Sequence, residues 1–262
     1  MALDGFSEDR FSHDGRERSV FRRGEGPGVV VMHEIPGITP EVARFARIVA
    51  DDGFSVYLPH LFGTPGRPLG GGYAVGQMAR ACISREFHVL AGGGSSPITD
   101  WLRALCRHAH AECGGPGVGA IGMCLTGNFA LALMVDECVM APVLSQPSLP
   151  FPIGGARRRA LHLSEEDLAT VRERAGRGCG VLGLRFTGDP LVPAERFERL
   201  REELGAGFES VEIDSRKGNA HGIPRTAHSV VTTDLVDEEG HPTRDALLRV
   251  LTLFRERLHE TE

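Results

Sequence analysis

Three residues with side chains suited to nucleophilic chemistry each follow a strand-like apolar segment. Cys124 follows VGAIGM, Asp189 follows GVLGLRFTG, and His221 follows FESVEID within the glycine-flanked loop GNAHG. A thiol, an imidazole and a carboxylate can act as a nucleophile, its general base and the group that orients the base. Taken singly, Asp189 is typical of a turn and His221 of a surface histidine. Three such residues after three separate strands indicate a hydrolytic site.

The stretch GAIGMCLTGNFALAL, residues 119–133, predicts a strand that passes through Cys124 directly into a helix. Such a turn, a nucleophile elbow, lifts the central side chain above the sheet edge, and Gly122 and Gly127 supply the small residues that it needs. The helix N-terminus favours a thiolate, and the N–H of Leu125 would form half of an oxyanion hole. On these residues alone, Cys124 could equally be a small buried hydrophobic residue.

The segments around these candidates predict alternating strands and helices. Short apolar runs predict strands at 28–33, 54–59, 118–123, 139–145, 180–188 and 208–214. Helical spacing and capping residues predict helices at 40–53, 74–90, 97–113, 128–137, 164–176, 193–205 and 243–258. This alternation predicts an α/β protein with a mostly parallel sheet and helices on both faces. Sheets of this kind bind ligands at the carboxyl ends of their strands, where all three candidates lie.

Composition excludes several classes of protein. The chain of 262 residues is 41% hydrophobic and 24% charged, so it can bury a sizeable core. A net charge of -6 without a basic cluster argues against nucleic acid or an anionic membrane as a partner. No run approaches the roughly 18 apolar residues of a spanning helix. The start, MALDGFSEDRF, lacks a secretory signal pattern, so we expect a cytoplasmic protein.

The six cysteines do not indicate a disulfide framework, because such frameworks are typical of short secreted domains. The segment Cys106-Arg-His108-Ala-His110-Ala-Glu-Cys113 has no recognisable zinc spacing, since on one helix these side chains point around the axis. We therefore expect neither a metal nor a cofactor.

The motifs resemble those of the dienelactone hydrolase family, a branch of the α/β-hydrolases that uses Cys-His-Asp in place of Ser-His-Asp. Its nucleophile motif G-x-C-x-G-G matches Gly122, Cys124 and Gly127, with Thr126 in place of the first paired glycine. Its Gln-Glu-Ile-x-Gly segment matches residues 33–37, His-Glu-Ile-Pro-Gly, with a histidine in the glutamine's place.

The acid and histidine motifs of the family also have counterparts here. Gly188-Asp189, followed by Val192-Pro193, matches the acid motif, and Ala220-His221 matches an A-G-H-like loop. The resemblance extends from about residue 28 to 258 and is poor at 60–118 and 148–178. It implies a single α/β-hydrolase domain over 1–262, with lid or pocket segments at 60–95 and 148–178.

The resemblance implies a particular activation step. Glu34 would take the thiol proton of Cys124 once substrate displaces it, since desolvation raises the pKa of a carboxyl group. The N–H groups of Leu125 and Ile35 would then bind the oxyanion. An ordinary loop carboxylate is the alternative interpretation of Glu34.

His221, oriented by Asp189, would afterwards activate water to hydrolyse the thioester. A thiolate leaves a tetrahedral adduct readily, so the substrate must itself carry a good leaving group. We therefore expect a carboxylic ester hydrolase of the carboxymethylenebutenolidase type. Its substrates would be small activated esters or lactones, dienelactone-like and carboxylated, and amides would not react.

The family binds the substrate carboxylate with arginines. Arg225 lies four residues after His221, which matches the family's offset, and Arg85 is the candidate for a second arginine. Each could instead be a solvated surface charge.

Two alternative functions come from other classes of protein. Residues 117–122 read GVGAIG, which is literally the G-x-G-x-x-G pattern of dinucleotide-dependent oxidoreductases, with Asp136 and Glu137 near the expected acid position. However, the glycines appear inside a strand rather than after one. Thr126 at the elbow leaves open a catalytically weak, hydrolase-like binding protein. The sequence leaves the oligomeric state open.

Overall fold

The computed structural model describes residues 3–74, 76–77, 96–148 and 154–259. Within them lies an eight-stranded sheet of order β1-β2-β4-β3-β5-β6-β7-β8. The strands are β1 Ser7–His13, β2 Arg16–Arg23, β3 Gly28–Met32, β4 Ser55–Pro59, β5 Val118–Met123, β6 Val139–Ser145, β7 Val181–Phe186 and β8 Phe208–Ile213. The described helices are α1 Pro40–Asp51, α2 Pro97–Cys113, α3 Gly127–Leu133, α4 Gly155–Arg159, α5 Glu165–Gly176, α6 Ala194–Leu204 and α7 Pro242–Leu258.

The sheet is parallel from β4 to β8, and β1 and β2 join it antiparallel at one edge. The prediction of a mostly parallel α/β sheet is confirmed. The β1–β2 hairpin was not predicted. Much of its surface is polar and exposed, so it lacks the apolar runs by which the inner strands were found. The helix predicted at 74–90 lies mostly outside the described residues.

Helices cover both faces of the sheet because alternate strand residues point in opposite directions. In β3, Val30 and Met32 belong to a core that packs against α2, α3, α5 and α6. Val29 and Val31 belong to a second core, against α1 and α7. The central strands β3, β5 and β7 are buried along their whole length. A rigid, doubly covered sheet therefore carries the loops at its carboxyl edge.

Local signals explain where the first helices begin. Thr39 caps α1 by accepting a hydrogen bond from the N–H of Val42, and Ser96 caps α2 through the N–H of Thr99. A proline occupies the first position of each helix, where no N–H is needed. None of the described helices combines the length and apolar character required to cross a bilayer.

Candidate active site

Cys124 occupies a sharp turn between β5 and α3, within a single 3₁₀ turn at Cys124–Thr126. Its φ of 53° lies in the left-handed region, which is strained for a residue with a side chain. A Cβ on Gly122 would lie 2.1 Å from the carbonyl oxygen of Thr126, and one on Gly127 would lie 2.5 Å from Cα of Pro147. Both glycines are therefore required by close backbone approach, as in a nucleophile elbow.

Thr126, where the sequence departs from the family motif, connects the elbow to the end of β3. Its Oγ1 accepts a hydrogen bond from the N–H of Met123 at 2.9 Å. The same hydroxyl is within donating distance of the carbonyl oxygens of Met32, at 2.9 Å, and His33, at 3.2 Å. The side chain is fully buried. Thr126 therefore joins the two segments that carry Cys124 and Glu34.

The histidine that contacts the predicted acid is His228, so the prediction of His221 is wrong. Nδ1 of His228 donates to Oδ2 of Asp189 at 2.6 Å. His221 is exposed, and its ring lies 5.3 Å from that of His241. The glycine-flanked loop thus carries its imidazole into solvent. The second Ala-His pair, Ala227-His228, brings its imidazole to the carboxyl edge of the sheet.

Asp189 is held in place for this contact. The carboxyl group is buried after β7, and its Oδ1 accepts a hydrogen bond from the N–H of Leu191 at 2.9 Å. An ionised carboxylate on Nδ1 keeps the proton on that nitrogen. Nε2 of His228, which is buried and has no hydrogen-bond partner among the described residues, is then the atom left for proton transfer.

The charge environment of His228 favours the imidazolium. Desolvation by burial on its own lowers the pKa, but the neighbouring Cys124 sulfur and the Asp189 carboxylate outweigh it. The pKa of His228 consequently lies well above its ordinary value. No hydrogen bond of normal geometry joins Nε2 to Sγ, although Cys124 is close enough to exert this effect. The sulfur and the imidazole thus behave as interacting groups.

The loop that carries His228 is fixed at several points. Oδ2 of Asp234 accepts hydrogen bonds from the backbone N–H groups of His228, at 2.8 Å, and Ser229, at 2.9 Å. Arg44 on α1 donates to the carbonyl oxygen of Thr232 at 3.1 Å. The Asp234 contacts close the segment 228–234 on itself, and the Arg44 contact attaches it to α1.

Glu34 lies two residues after the end of β3 and is almost fully buried. Its Oε2 accepts hydrogen bonds from Ser229 Oγ at 2.6 Å and Gln146 Nε2 at 3.1 Å, and its Oε1 accepts one from the hydroxyl of Thr232. Desolvation raises the pKa of Glu34, although these hydrogen bonds and the charge of His228 oppose the rise. The hydrogen bonds made by this carboxylate go to the histidine loop and to Gln146 rather than to Cys124.

Ser148 and Arg196 were not foreseen from the sequence. Ser148 Oγ lies 3.1 Å from Sγ of Cys124, and its N–H donates to the carbonyl oxygen of Cys124 at 3.1 Å. Arg196 on α6 is fully buried and donates to the carbonyl oxygens of Pro147, Ala160 and Arg157. Desolvation lowers the pKa of Arg196 to about 10. This guanidinium therefore holds the backbone just before Ser148.

His33, at the position of the family's glutamine, is an uncharged residue that hydrogen-bonds the backbone of two segments. Its Nε2 accepts a hydrogen bond from the N–H of Leu61 at 3.1 Å, so the proton is on Nδ1, which lies 3.1 Å from the carbonyl oxygen of Glu34. Complete burial lowers the pKa of His33 to about 3. The uncharged ring thus links the segment after β3 to the segment after β4.

The two residues predicted to supply oxyanion-hole N–H groups lie at the same sheet edge. Leu125 follows Cys124 in the elbow, and Ile35 follows Glu34 after β3. Because Met32 of β3 pairs with Gly122 of β5, the two segments leave the sheet side by side. Their role in binding an oxyanion stays a prediction.

The prediction that Arg225 binds a substrate carboxylate depended on the assignment of His221. Arg225 is exposed, and its side chain packs against Gly188, since a Cβ on that glycine would lie 3.0 Å from Cγ of Arg225. Its match to the family offset depended on His221. Four residues after His228 stands Thr232, which is bound to Glu34. Arg85 lies outside the described residues.

The remaining sequence motifs have structural explanations. Most of the glycine pattern at 117–122 lies inside strand β5, not in a turn before a helix, so it does not form a dinucleotide loop. Cys106 is buried in the core, and His108 stacks on Phe11 with ring centroids 5.0 Å apart. Among the described residues, no group of three or more His, Cys, Asp or Glu side chains could hold a metal ion.

The sheet order, the strained turn after β5 and the acid and histidine after later strands define an α/β-hydrolase-type protein. The sequence model of the dienelactone hydrolase family matches residues 19–258, so the chain belongs to this family and is a hydrolase of the family's kind. No curated protein matches the chain significantly.

Solved structures show the same fold at low sequence identity. A protein described as a dienelactone hydrolase from Klebsiella pneumoniae is 18% identical, with a TM-score of 0.63, over 96% of this chain and 98% of that one. A dienelactone hydrolase-like promiscuous phosphotriesterase from metagenomic libraries is 17% identical, with a TM-score of 0.59, over 97% and 98%. A cold-adapted esterase from an Arctic intertidal metagenomic library is 16% identical, with a TM-score of 0.56, over 98% and 96%.

Proposed function

We propose that this protein hydrolyses activated carboxylic esters or lactones through a thioester on Cys124. The observation that carries the proposal is the 2.6 Å contact between Asp189 and His228, whose Nε2 has no hydrogen-bond partner among the described residues and whose neighbours include the Cys124 sulfur. In this proposal Cys124 is the nucleophile, His228 its base and Asp189 the group that orients the base, and the three come from separate segments of the chain.

The reaction follows from these positions. His228 takes the proton of Cys124, and the sulfur attacks the carbonyl carbon of the substrate. The N–H groups of Leu125 and Ile35 bind the resulting oxyanion. Collapse of the adduct expels the alcohol or enol, which receives the proton from His228 and leaves a thioester. His228 then takes a proton from water, and the hydroxide attacks the thioester. Collapse of this second adduct breaks the C–S bond, so the acid product departs and the proton returns from His228 to the sulfur of Cys124.

The nucleophile restricts the substrate class. A thiolate is a better leaving group than the nitrogen group of an ordinary amide. The tetrahedral adduct that an amide forms therefore expels sulfur and returns to substrate. Aryl esters, enol-lactones and thioesters have leaving groups that compete with sulfur. A carboxylate on the substrate would need a nearby cation, and Arg225, which packs against Gly188 beside Asp189, is the described candidate. Arg225→Ala would then raise KM for carboxylated lactones and leave KM for neutral esters unchanged.

The experiment compares p-nitrophenyl butyrate with the matching p-nitroanilide on wild type, Cys124→Ala and Cys124→Ser. We expect ester turnover in the wild type, at least ~10³-fold less in Cys124→Ala, and negligible anilide turnover. Mass spectrometry of quenched wild-type protein should detect an acyl group on Cys124. Ester turnover unchanged in Cys124→Ala, or equal ester and anilide rates, would overturn the proposal. Stoichiometric acylation without turnover would make the protein a binder rather than an enzyme.

A further inference from the structure

Glu34 shares its hydrogen bonds with the loop that carries His228. Ser229 and Thr232, which donate to its two carboxyl oxygens, lie one and four residues after this histidine. All three side chains are buried. Three carboxyl groups thus bind separate parts of one segment: Asp189 binds the ring of His228, Asp234 binds backbone N–H groups, and Glu34 binds the side chains that follow.

Gln146 is a further donor to the Glu34 carboxylate, on the same oxygen that Ser229 binds. Its Oε1 accepts the hydroxyl proton of Ser145, so its Nε2 is the atom that donates to Glu34. Gln146 is fully buried at the end of β6 with a φ of 37°, in the left-handed region, and its N–H donates to the carbonyl oxygen of Leu184. Because its backbone is strained and both polar atoms of its side chain are hydrogen-bonded, Gln146 has little freedom to reorient.

This arrangement disfavours movement of the carboxylate toward sulfur. Both oxygens of the Glu34 carboxylate already accept hydrogen bonds, and none of the three donors is Cys124. Movement of the carboxylate that broke these contacts would leave two buried hydroxyl groups and a buried amide without their acceptor, which is unfavourable. His228 needs no such movement, because Cys124 is among its neighbours and its Nε2 has no other hydrogen-bond partner among the described residues.

We propose that Glu34 is a positioning residue, which holds the His228 loop through Ser229 and Thr232, and that it does not deprotonate Cys124. The inference rests on the proposed function, since it assigns His228 to both halves of the thioester reaction. Loss of the Glu34 contacts should therefore slow acylation and deacylation alike. A thiol base, in contrast, would matter for acylation alone.

The experiment measures the acylation burst and the deacylation rate of p-nitrophenyl butyrate in Glu34→Gln, Thr232→Val and the double variant. Thr233→Val is the matched control, because Thr233 is the exposed neighbour of Thr232. We expect Thr232→Val to lower both rates about tenfold, which corresponds to ~1.4 kcal/mol. Glu34→Gln should lower both rates at least as much. The double variant should be no slower than Glu34→Gln, since the two side chains act through one contact.

An NMR measurement separates failure of this inference from failure of the proposed function. The Nδ1 proton of His228, in its short hydrogen bond to Asp189, should give a low-field signal in wild type and Thr233→Val. The signal should broaden or vanish in Thr232→Val. Should Thr232→Val keep the signal and both rates, or should Glu34→Gln slow acylation alone, the positioning role is wrong. A wild type without turnover refutes the proposed function, and the NMR signal still decides how the loop is held.

Discussion

The nucleophile elbow and the histidine loop meet at one site, yet the residues that shape them differ in how far apart they lie in the sequence. At the elbow, Gly122, Gly127 and Thr126 all lie within three residues of Cys124, although Gly127 and Thr126 also contact more distant segments. The histidine loop depends on partners far away in the chain, since Asp189 is 39 residues from His228 and Glu34 is 195 residues from Ser229. Local requirements are visible as a motif, whereas distant contacts leave no spacing to detect.

The largest expected effect separates the two histidines of the loop region. His228→Ala should lower kcat for an aryl ester by about 10³-fold, because it removes the base that faces Cys124. The kcat of His221→Ala should stay within about twofold of wild type. His221 is exposed, and within the described part of the chain the only aromatic ring that its ring contacts is that of His241. Steady-state kinetics on the same ester measure both. The reverse order of effects would restore His221 to the site.

At the elbow, we expect the addition of a single methyl group at Gly127 to lower the stability of the protein. Gly127→Ala should lower the free energy of unfolding by about 3 kcal/mol, because its Cβ would meet the backbone of Pro147. Gly176→Ala is the matched control at the end of α5, where no atom lies within 4 Å of an added Cβ. Urea denaturation measures both variants. Equal effects at the two positions would mean that the elbow is not crowded.

Thr126 tests whether the elbow also depends on a neighbouring strand. Thr126→Val should cost about 1–2 kcal/mol of unfolding free energy, because the buried N–H of Met123 loses its acceptor. Thr126→Ser retains the hydroxyl and should lose less. Urea denaturation of the pair, together with ester kinetics, shows whether the contact to Met32 and His33 supports stability alone or also activity.

The smallest predicted effect is the contribution of the buried Glu34 carboxyl group to the pH dependence of stability. Burial raises the pKa of Glu34 in the folded state. At pH values above the ordinary pKa of glutamate, the folded protein therefore binds more protons than the unfolded protein. The resulting stability is present at pH values below about 4.5 and is lost as pH rises through the folded-state pKa. Glu34→Gln removes this dependence.

The stability of Glu34→Gln relative to wild type should therefore increase as pH rises, by about 1.4 kcal/mol for each pKa unit of the shift. Urea denaturation of both proteins between pH 4 and 8 measures the difference directly. Titrating groups that do not interact with Glu34 are common to both proteins and cancel to first order, whereas His228, whose charge acts on Glu34, contributes to the difference. A difference that does not vary with pH would show that Glu34 has the same pKa in the folded and unfolded states.

Much of the sheet could be predicted from the sequence, because its inner strands are apolar on both faces. The antiparallel pair β1–β2 escaped this criterion, since its exposed residues include many charges. A local signal did exist, because Asp14-Gly15 between the two strands is a typical hairpin turn and both residues have positive φ. The omission changes the edge of the sheet and leaves the site unaffected.

The choice between His221 and His228 shows where prediction from neighbouring residues in the sequence fails. Ala220-His221 and Ala227-His228 are equivalent as dipeptides, and the glycines around His221 made it look like a functional loop. The residues after His228, Ser229 to Thr232, are buried, and that burial allows the loop to be held rigidly. A run of apolar and small residues after the histidine was the only signal in the sequence that favoured His228.

The sequence by itself determined the α/β alternation, the position of the elbow and the acid after β7, because each depends on residues close together in the chain. Tertiary structure alone decided which imidazole meets Asp189 and what Glu34 binds, since these contacts join segments up to 198 residues apart. Their energies depend on burial and on exact partners in space, and neither is encoded by any short spacing of residues.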